Sequence, residues 1–451
     1  MVRRGGQMRV AILGYGSRGD IQPVLVVADA LRRRGHEVRL TVNVNSADWA
    51  KRSGIDILPM HPDAEAFLKS PGGKQLLAKG KSSTLFRELA ALEERHNDDI
   101  IRVCREACRG ADLVCSTIVT VFRGAGFAEA LGAPHVCLAT LPMFRTASFA
   151  SYLLPIRDYR AGRLNRLSWD LYIAAYWLGQ RHVFNATRRA LGLPEWKHRP
   201  RVEDGAFIHM YSKHVLPIPD DVPRSHWQGG YATMSAELRE RLGERALPPG
   251  LDKWLAAGPP PVFFGFGSLP VLDPAAVLRD VVLLCEKHSI RALVGAGWTE
   301  YARGALPETV FIAPAFDHDR VLPRCRAAVH HGGAGTTAAS LRAGLPTLVC
   351  SLFSDQPLWG QRIEQLGAGT TFPFQKLEPK RLSAALGGLL RPEVAERARR
   401  IGQALSAENG TEQIADLVER FAQSQGISVA VRAAGVSASQ CLSSYTDLPG
   451  K

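Results

Sequence analysis

The chain has 451 residues, of which 22% are charged and 46% hydrophobic, a composition that is typical of a folded globular protein and excludes a disordered or fibrous one. Its length exceeds the roughly 250–300 residues that one hydrophobic core supports, so we expect at least two domains. The net charge of +13 comes from basic residues scattered along the chain, without a recognisable nucleic-acid-binding module, and we expect no nucleic-acid partner.

The first half of the chain starts with a strand, a glycine-containing loop, a helix and a second strand. Residues 9–13 are mostly apolar and rich in β-branched residues, which predicts the first strand, and residues 37–42 predict the second. Pro23 suits the first turn of the helix between them, which we expect to end at Gly35. Such a βαβ unit implies a parallel sheet. Further along, we predict strands at 111–116 and 134–138, a helix at 127–131, and a mainly helical, aromatic-rich segment at 150–200.

The second half repeats this alternation after a proline-rich connection. Its strands are predicted at 262–265, 291–295, 310–312, 327–330 and 346–350, with helices between them. The fold class is therefore α/β, with two doubly wound, Rossmann-like domains that face a central cleft, where ligands lie beyond the carboxyl ends of the strands. The predicted divisions are an N-terminal domain at 8–225, a linker at 226–260, a C-terminal domain at 261–410, a helix at 411–425 that packs back on the first domain, and a flexible tail at 426–451.

The loop after the first strand supports two different functions. Residues 14–19 match G-x-G-x-x-G, which predicts a dinucleotide-dependent oxidoreductase when an acidic residue ends the second strand. Here residues 42–45 contain no carboxylate. Asp20 is alternatively a catalytic carboxylate at the edge of the cleft, or only a cap of the following helix. The sequence leaves these interpretations open.

Residues 330–336, His-His-Gly-Gly-Ala-Gly-Thr, form the most informative stretch. Three glycines allow a tight turn, and the helix that we expect to begin near Thr336 exposes free N–H groups suited to a phosphate or diphosphate. His330 is placed to donate a hydrogen bond to that phosphate, a charge-assisted one when the imidazole is protonated. Asp355 and Gln356 follow a later strand at the same sheet edge, where a carboxylate beside an amide suits sugar hydroxyls.

Together these motifs resemble the UDP-glycosyltransferase superfamily. The stretches 16–23, 266–268, 330–336 and 355–357 occur in that order and at about the expected separations. The likeness spans roughly residues 8–425 and is closest to the sterol 3-β-glucosyltransferases and related bacterial natural-product glycosyltransferases. It implies a GT-B fold, in which the first domain holds the acceptor and the second holds the nucleotide sugar.

The resemblance also implies a reaction and the residues that carry it. We expect an inverting, metal-independent transfer of a hexose, glucose by analogy, to a hydroxyl of a lipophilic acceptor such as a sterol, a polyketide or another aglycone. Asp20 matches the general base. No tryptophan occupies the expected base-stacking position near Pro314, so UDP and dTDP remain open as donor nucleotides. The donor positions are Ser268, His330, Gly333, Gly335, Thr336, Asp355 and Gln356, and the acceptor positions are Ser17, Phe144, Trp169 and Trp177.

No cofactor or metal is expected, since the nucleotide sugar is a co-substrate and a helix N-terminus already supplies positive field. Asp317 and Asp319 form a D-x-D pattern, which holds a metal in other glycosyltransferases. The aromatic helix around Trp169 and Trp177 is predicted to wall the acceptor pocket or to rest weakly on a membrane surface. A monomer and a dimer both remain open, as does a catalytically silent protein that only binds nucleotide sugars.

Two further features bear on the compartment. No apolar run approaches the ~20 residues that cross a bilayer, and the N-terminal apolar run is too short for a signal peptide, so we expect a cytoplasmic protein. The eight cysteines form no CxxC pair and no zinc-type spacing with histidine, which predicts free, mostly buried thiols.

Overall fold

The computed structural model describes residues 6–73, 82–152, 162–265, 273–297, 299, 301, 306–352, 354–376 and 378–429. They form two α/β domains, each built on one sheet. The strands of the first sheet are β1 (Arg9–Leu13), β2 (Glu37–Asn43), β3 (Asp56–Met60), β4 (Leu113–Ser116), β5 (His135–Ala139), β6 (Ala206–His209) and β7 (His226–Gln228). Those of the second are β8 (Val262–Gly265), β9 (Ala292–Gly295), β10 (Val310–Ala313), β11 (Ala327–His330), β12 (Thr347–Ser351) and β13 (Gly369–Pro373).

Both sheets are parallel and share one winding pattern. The first has the order β3-β2-β1-β4-β5-β6-β7, and the second has the order β10-β9-β8-β11-β12-β13. The chain reverses direction of winding between β1 and β4 and again between β8 and β11, which is the switch point where such folds bind ligands. The predicted α/β class with two doubly wound domains is confirmed.

Helices cover both faces of each sheet. The central strands are therefore buried on both sides, which explains their continuous apolar sequences, such as Arg9–Leu13 and Ala327–His330. The helices of the first domain are α1 (Arg18–Arg33), α2 (Val44–Lys51), α3 (Ala64–Lys69), α4 (Ser82–Arg95), α5 (Asn97–Cys108), α6 (Val121–Leu131) and α7 (Gly162–Ala190). The remaining helices are α8 (Ala236–Leu242), α9 (Leu251–Ala256), α10 (Pro274–His288), α11 (His318–Val321), α12 (Ala334–Arg342), α13 (Gln356–Gln365), α14 (Pro379–Leu389), α15 (Pro392–Ser406) and α16 (Gly410–Ser424).

Helix α1 corrects one predicted boundary. It begins at Arg18 rather than near Pro23, which lies inside the helix. The earlier start is possible because the side chain of Ser17 caps the helix and satisfies an N–H group of its first turn. The first sheet also runs past residue 225, since β7 lies within the stretch that was predicted as linker.

The domains are joined by apolar packing and by the last helix. Tyr211 of the first domain stacks edge-on against Trp359 of the second, with ring centroids 5.6 Å apart. Helix α16 leaves the second domain and packs against α1, where Ile414 and Val418 are fully buried.

The described part of the chain bears on two predictions, the absence of a membrane-spanning segment and the free state of the cysteines. No helix within the described ranges combines the length and apolar character that crossing a membrane requires. Seven of the cysteines lie in these ranges, all of them free and buried, while Cys441 lies outside the described residues.

Candidate active site

The carboxyl ends of the two sheets face each other across a cleft. Asp20 follows β1 of the first sheet, and Asp355 follows β12 of the second. The charge of Asp20 contributes to a raised pKa of Asp355, so the two carboxylates lie close enough to interact across the cleft. The site therefore takes residues from the carboxyl ends of strands in both sheets.

Asp20 is the third residue of α1 and forms a capping box with Ser17. The Ser17 backbone N–H and hydroxyl both donate to Oδ2 of Asp20, at 2.8 and 3.0 Å. Within the described chain, this leaves Oδ1 without a hydrogen-bond donor. Burial raises the pKa of Asp20, and the bonds from Ser17 oppose that rise. The cap residue itself is Ser17, so the arrangement gives Asp20 both a structural contact and an oxygen that is able to accept a proton.

The loop before Asp20 is shaped to hold it. Gly16 has a φ of +127°, and a Cβ at this position would lie 2.4 Å from Oδ2 of Asp20. The N–H of Gly16 donates to the side chain of Asn43 at 2.7 Å. Only glycine allows this close approach of the loop to the carboxylate.

His330 ends β11 and is fully buried. The N–H of Gly332 donates to its Nδ1 at 3.0 Å, which assigns the proton of the neutral ring to Nε2. Burial, together with the neighbouring imidazoles, lowers the pKa of His330 well below 6.5. The neutral ring thus carries its proton on Nε2, and the charge-assisted bond to a phosphate stays a prediction.

The glycine turn delivers the chain to the start of α12 with free N–H groups. Helix α12 begins at Ala334, two residues earlier than predicted, and its N-cap Gly333 has no capping side chain. The first internal bond runs from Thr337 N–H to the Gly333 carbonyl at 2.9 Å, so the amides of the preceding residues lack helical acceptors. A Cβ at Gly335 would meet nothing within 4 Å, so open space lies beside these amides.

Buried polar atoms without partners concentrate in this same region. Among the described residues, Nε2 of His330, Nδ1 of His331, Oγ1 of Thr337 and Oγ of Ser340 have no hydrogen-bond partner. Buried polar groups are almost always paired, so such a cluster indicates a polar ligand. With the free amides of α12, it fits an anion such as a diphosphate.

Asp355 precedes α13 and is held by Trp359. The indole N–H of Trp359 donates to Oδ2 of Asp355 at 2.6 Å, and Trp359 is almost completely buried. Burial raises the pKa of Asp355 to about 6, with Asp20 adding to the rise and Trp359 opposing it. Gln356 accepts a bond from the Leu352 N–H at 2.7 Å, which ties its side chain to the loop.

The acceptor positions predicted from sequence lie mostly in the core. Phe144 and Trp169 are fully buried, and Trp177 is only 5% exposed. The burial of Trp169 and Trp177 favours a packed helix of the first domain over an open acceptor wall, and the acceptor roles of Phe144, Trp169 and Trp177 stay predictions. Tyr152 and Tyr172 pack on Trp169 and lie nearer to Asp355. Burial raises the pKa of both tyrosines, and the charge of Asp355 adds to that rise. Tyr152 and Tyr172 are half-buried and are further candidates for the acceptor wall.

The D-x-D pattern is engaged in ion pairs. Arg239 of α8 bonds Asp317 at 3.0 Å and also pairs with Asp319, which Arg342 of α12 contacts as well. Asp317 additionally caps α11. These contacts give both carboxylates a structural role that joins three elements.

Sequence reasoning did not identify every residue of this site. Asn43, Tyr152 and Trp359 were missed, whereas Tyr172 lies in the aromatic helix that was predicted to wall the acceptor pocket. Trp359 lies four residues after Asp355, so a spacing argument could have found it. Ser268 lies outside the described residues. The roles of the predicted donor residues stay predictions.

Comparison with family models supports both halves of the chain. The N-terminal domain of glycosyltransferase family 28 matches residues 10–113. The C-terminal domain of erythromycin biosynthesis protein CIII-like proteins matches residues 296–420.

Curated relatives cover almost the whole chain. A sterol 3-beta-glucosyltransferase of Arabidopsis thaliana is 30% identical over 92% of this chain and 68% of its own length. An uncharacterised glycosyltransferase of Mycobacterium leprae is 32% identical over 91% of this chain and 96% of its own. The O-mycaminosyltylonolide 6-deoxyallosyltransferase of Streptomyces fradiae is 30% identical over 93% and 98%.

Solved structures show the same fold at lower identity. The glycosyltransferase of kitacinnamycin aligns with a TM-score of 0.67 at 19% identity, over 92% of this chain and 99% of the other. The glycosyltransferase VinC, solved in complex with dTDP, aligns with a TM-score of 0.62 at 20% identity, over 92% and 100%. At these identities the likeness establishes the architecture, which is that of GT-B glycosyltransferases.

Proposed function

The chain belongs to the glycosyltransferase family that includes the sterol 3-beta-glucosyltransferases and macrolide glycosyltransferases, and we propose that it transfers a hexosyl group, with inversion, from a nucleoside diphosphate to a hydroxyl of a lipophilic small molecule. The acceptor class is inferred from the relatives, which act on sterols and on a macrolide precursor. Family membership removes the oxidoreductase alternative.

One observation carries the proposal for the donor. The neutral His330 presents a buried, unpartnered Nε2–H beside the uncapped start of α12. A nucleoside diphosphate bound there would receive hydrogen bonds from the imidazole and from free amides, in the positive field of the helix dipole. These groups stabilise the charge that develops as the diphosphate leaves.

Asp20 supplies the other half of the reaction. Its Oδ1 accepts the proton of the acceptor hydroxyl while that oxygen attacks the anomeric carbon, which avoids a free alkoxide. The base belongs to the first domain and the diphosphate cradle to the second. Attack and departure then occur on opposite sides of the sugar, so a single displacement inverts the anomeric centre.

The transfer is proposed to proceed without a metal ion. The D-x-D carboxylates, which are the obvious ligands in the sequence, are already paired with Arg239 and Arg342. The amides of α12 and His330 offer the positive potential that a divalent ion supplies elsewhere.

Asp355 and Gln356 are proposed to orient the sugar. The raised pKa of Asp355, about 6, still leaves the carboxylate mostly ionised at neutral pH, able to accept bonds from sugar hydroxyls. UDP-glucose is our first choice of donor, by analogy with the glucosyltransferase relatives, and dTDP sugars are the second because VinC was solved with dTDP.

Titration calorimetry with UDP and dTDP, followed by a panel of their sugars, tests this proposal. We expect binding of at least one nucleotide and transfer to a sterol or polyketide acceptor. Replacing His330 by Ala should weaken nucleotide binding about tenfold, as expected for loss of a hydrogen bond to a charged group. His182→Ala, at an exposed histidine of α7, is the matched control and should bind normally. Absence of heat with every nucleotide would contradict the proposal.

A further inference from the structure

Helix α7 presents two apolar faces, and the rest of the described chain covers only one of them. Trp169, Ile173 and Trp177 are buried against the first domain. Four of the six exposed large hydrophobic residues in the described part of the chain lie on this same helix. They are Leu164, Leu167, Leu171 and Leu178, exposed by 53%, 50%, 58% and 60%, and together they are named the leucine face.

The leucine face is one continuous stripe. At about 100° of rotation per residue, its four side chains fall within an arc of roughly 60° on the side opposite the buried aromatic residues. A surface helix that meets only water would carry polar residues on this side. The sequence instead places large apolar groups there over four turns, which indicates a partner.

Cationic side chains border this stripe. Arg163 and Arg181 are exposed and project from one edge of it, about 27 Å apart along the helix. Within the described ranges, no carboxylate lies at salt-bridge distance from either one. Of the five arginines of this helix, Arg166, Arg188 and Arg189 pair with Asp221, Glu129 and Glu195, so Arg163 and Arg181 are the two that offer positive charge to a ligand.

We propose that the leucine face is a docking surface for an anionic lipid bilayer. The leucines enter the boundary between headgroups and acyl chains, and Arg163 and Arg181 bind lipid phosphates. An apolar stripe with a basic border is the pattern of helices that lie in the plane of a membrane interface. The chain as a whole has a net charge of +13, which adds long-range attraction to an anionic surface.

A second copy of the chain fits the leucine face less well than a lipid bilayer does, because of its positive charge. If two leucine faces paired in antiparallel fashion, Arg163 of one copy would lie near Arg181 of the other, because both arginines lie on the same edge of the stripe. In either orientation the two copies each carry a net charge of +13, which opposes their association. Charge therefore favours a lipid surface.

Docking at this face has a consequence that rests on the proposed function. The other side of the same helix carries Trp169 and Tyr172, which pack on each other, and burial together with the charge of Asp355 raises the pKa of Tyr172. Membrane contact would hold the acceptor side of the cleft beside the bilayer, where lipophilic acceptors concentrate.

Vesicle flotation of the full chain tests the docking without any substrate. Vesicles of phosphatidylcholine alone are compared with vesicles that also contain phosphatidylglycerol. We expect binding to the anionic vesicles that weakens as salt increases. The triple variant Leu167→Gln, Leu171→Gln, Leu178→Gln should bind at least about tenfold more weakly, because three apolar anchors are removed. Leu283→Gln, at a leucine of α10 that is 56% exposed, is the matched control and should bind like the unmodified chain.

Three results would overturn the proposal: no binding to anionic vesicles, equal binding by the triple variant, or equal loss in the Leu283 control. Sedimentation equilibrium without lipid provides a fourth, since a dimer abolished by the triple variant would assign the face to a second copy. UDP calorimetry on the same variants is independent of docking. Loss of docking with intact UDP binding would therefore leave the proposed function standing, and the reverse also holds.

Discussion

The two carboxylate oxygens of Asp20 have different partners: Oδ2 accepts hydrogen bonds at the start of α1, and Oδ1 is proposed to accept the proton of the acceptor hydroxyl. The bonds from Ser17 both reach Oδ2, and they fix the carboxylate without occupying Oδ1. Because burial raises its pKa, Asp20 is a better proton acceptor than an ordinary aspartate.

Asp20→Asn should abolish most of the transfer and leave donor binding intact. Asparagine is able to keep the bond from the Ser17 N–H, so the helix start survives while the base is lost. We expect kcat to fall about 10²–10⁴-fold, the usual contribution of a general base. UDP affinity should be unchanged, because the diphosphate cradle belongs to the other domain.

Ser17→Ala serves as the matched control, since it weakens the cap but keeps the carboxylate. It should lower stability by about 1 kcal/mol and lose far less turnover than Asp20→Asn, although Ser17 itself contacts Asp20 and is an expected acceptor contact. Near-normal turnover in Asp20→Asn would instead reduce Asp20 to a structural residue.

Asp355 predicts a specific dependence of stability on pH. Its folded pKa of about 6 lies above the ordinary value of 3.8, so the folded chain binds this proton more tightly than the unfolded chain does. Stability from this group is complete below pH ~4 and declines as pH rises toward 6, by at most about 3 kcal/mol. Asp355→Asn removes that penalty and should raise the melting temperature at pH 8.

The control for this effect is the same pair of proteins at pH 4, where the gain should nearly vanish. Thermal unfolding followed by fluorescence at both pH values provides the measurement. A variant that is less stable than the parent at pH 8 would show that the ionised carboxylate stabilises the fold. In either case sugar transfer should fall, because Asp355 is proposed to hold the sugar hydroxyls.

Whether a strand could be predicted from the sequence depends on how deeply the sheet buries it. Central strands such as β1 and β11 are covered by helices on both faces. Their sequences are therefore mostly apolar along their whole length. Of the strands that were missed, β3, β7 and β13 lie at sheet edges, while β6 lies between β5 and β7. An edge strand buries fewer side chains, so its sequence carries less signal.

The site shows the same division between local and distant information. The glycine turn and the helix after it were visible locally, because their function depends on the backbone. The pairing of Asp319 with Arg239 was not, since these residues are 80 positions apart in the chain. Nor could sequence spacing show that Phe144 and Trp169 point into the core.

Gly332 lies in the turn before α12 and Gly335 lies in its first turn, and replacing each by alanine should change stability in a different direction. Gly332 has a φ of +91°, and a Cβ there would lie 2.5 Å from Cγ1 of Val349, so Gly332→Ala should lose about 1–3 kcal/mol of stability. At Gly335 the Cβ meets open space on a helix, so Gly335→Ala should keep or slightly raise stability. Its methyl group would, however, enter the space proposed for the diphosphate.

We therefore expect Gly335→Ala to weaken UDP binding in calorimetry despite a normal melting temperature. Each variant is the control for the other, since both replace a glycine of the same segment by alanine. Unchanged UDP affinity in Gly335→Ala would place the diphosphate elsewhere.

The relative placement of the two domains depends on where the chain passes between them. Helix α8 connects both, since Arg241 pairs with Asp29 of the first domain while Arg239 pairs with Asp317 of the second. The chain passes back at α16, whose Ile414 packs into the core of the first domain. Any rotation of one domain against the other would therefore bend the chain at these two passages.

Arg34 fixes helix α16 to the first domain, so replacing Arg34 should loosen the packing of α16. Its side chain is only 7% exposed and reaches Glu412, Asp416 and Glu419 at 2.6–2.8 Å. Arg34→Gln leaves these carboxylates without their shared cation and should destabilise the chain by about 3 kcal/mol. The neighbouring Arg33 also pairs with Glu412 but is 44% exposed, so Arg33→Gln should lower stability by less than about 1 kcal/mol. Hydrogen exchange of α16 and urea unfolding measure both effects, and equal losses in the two variants would show that apolar packing alone fixes the helix.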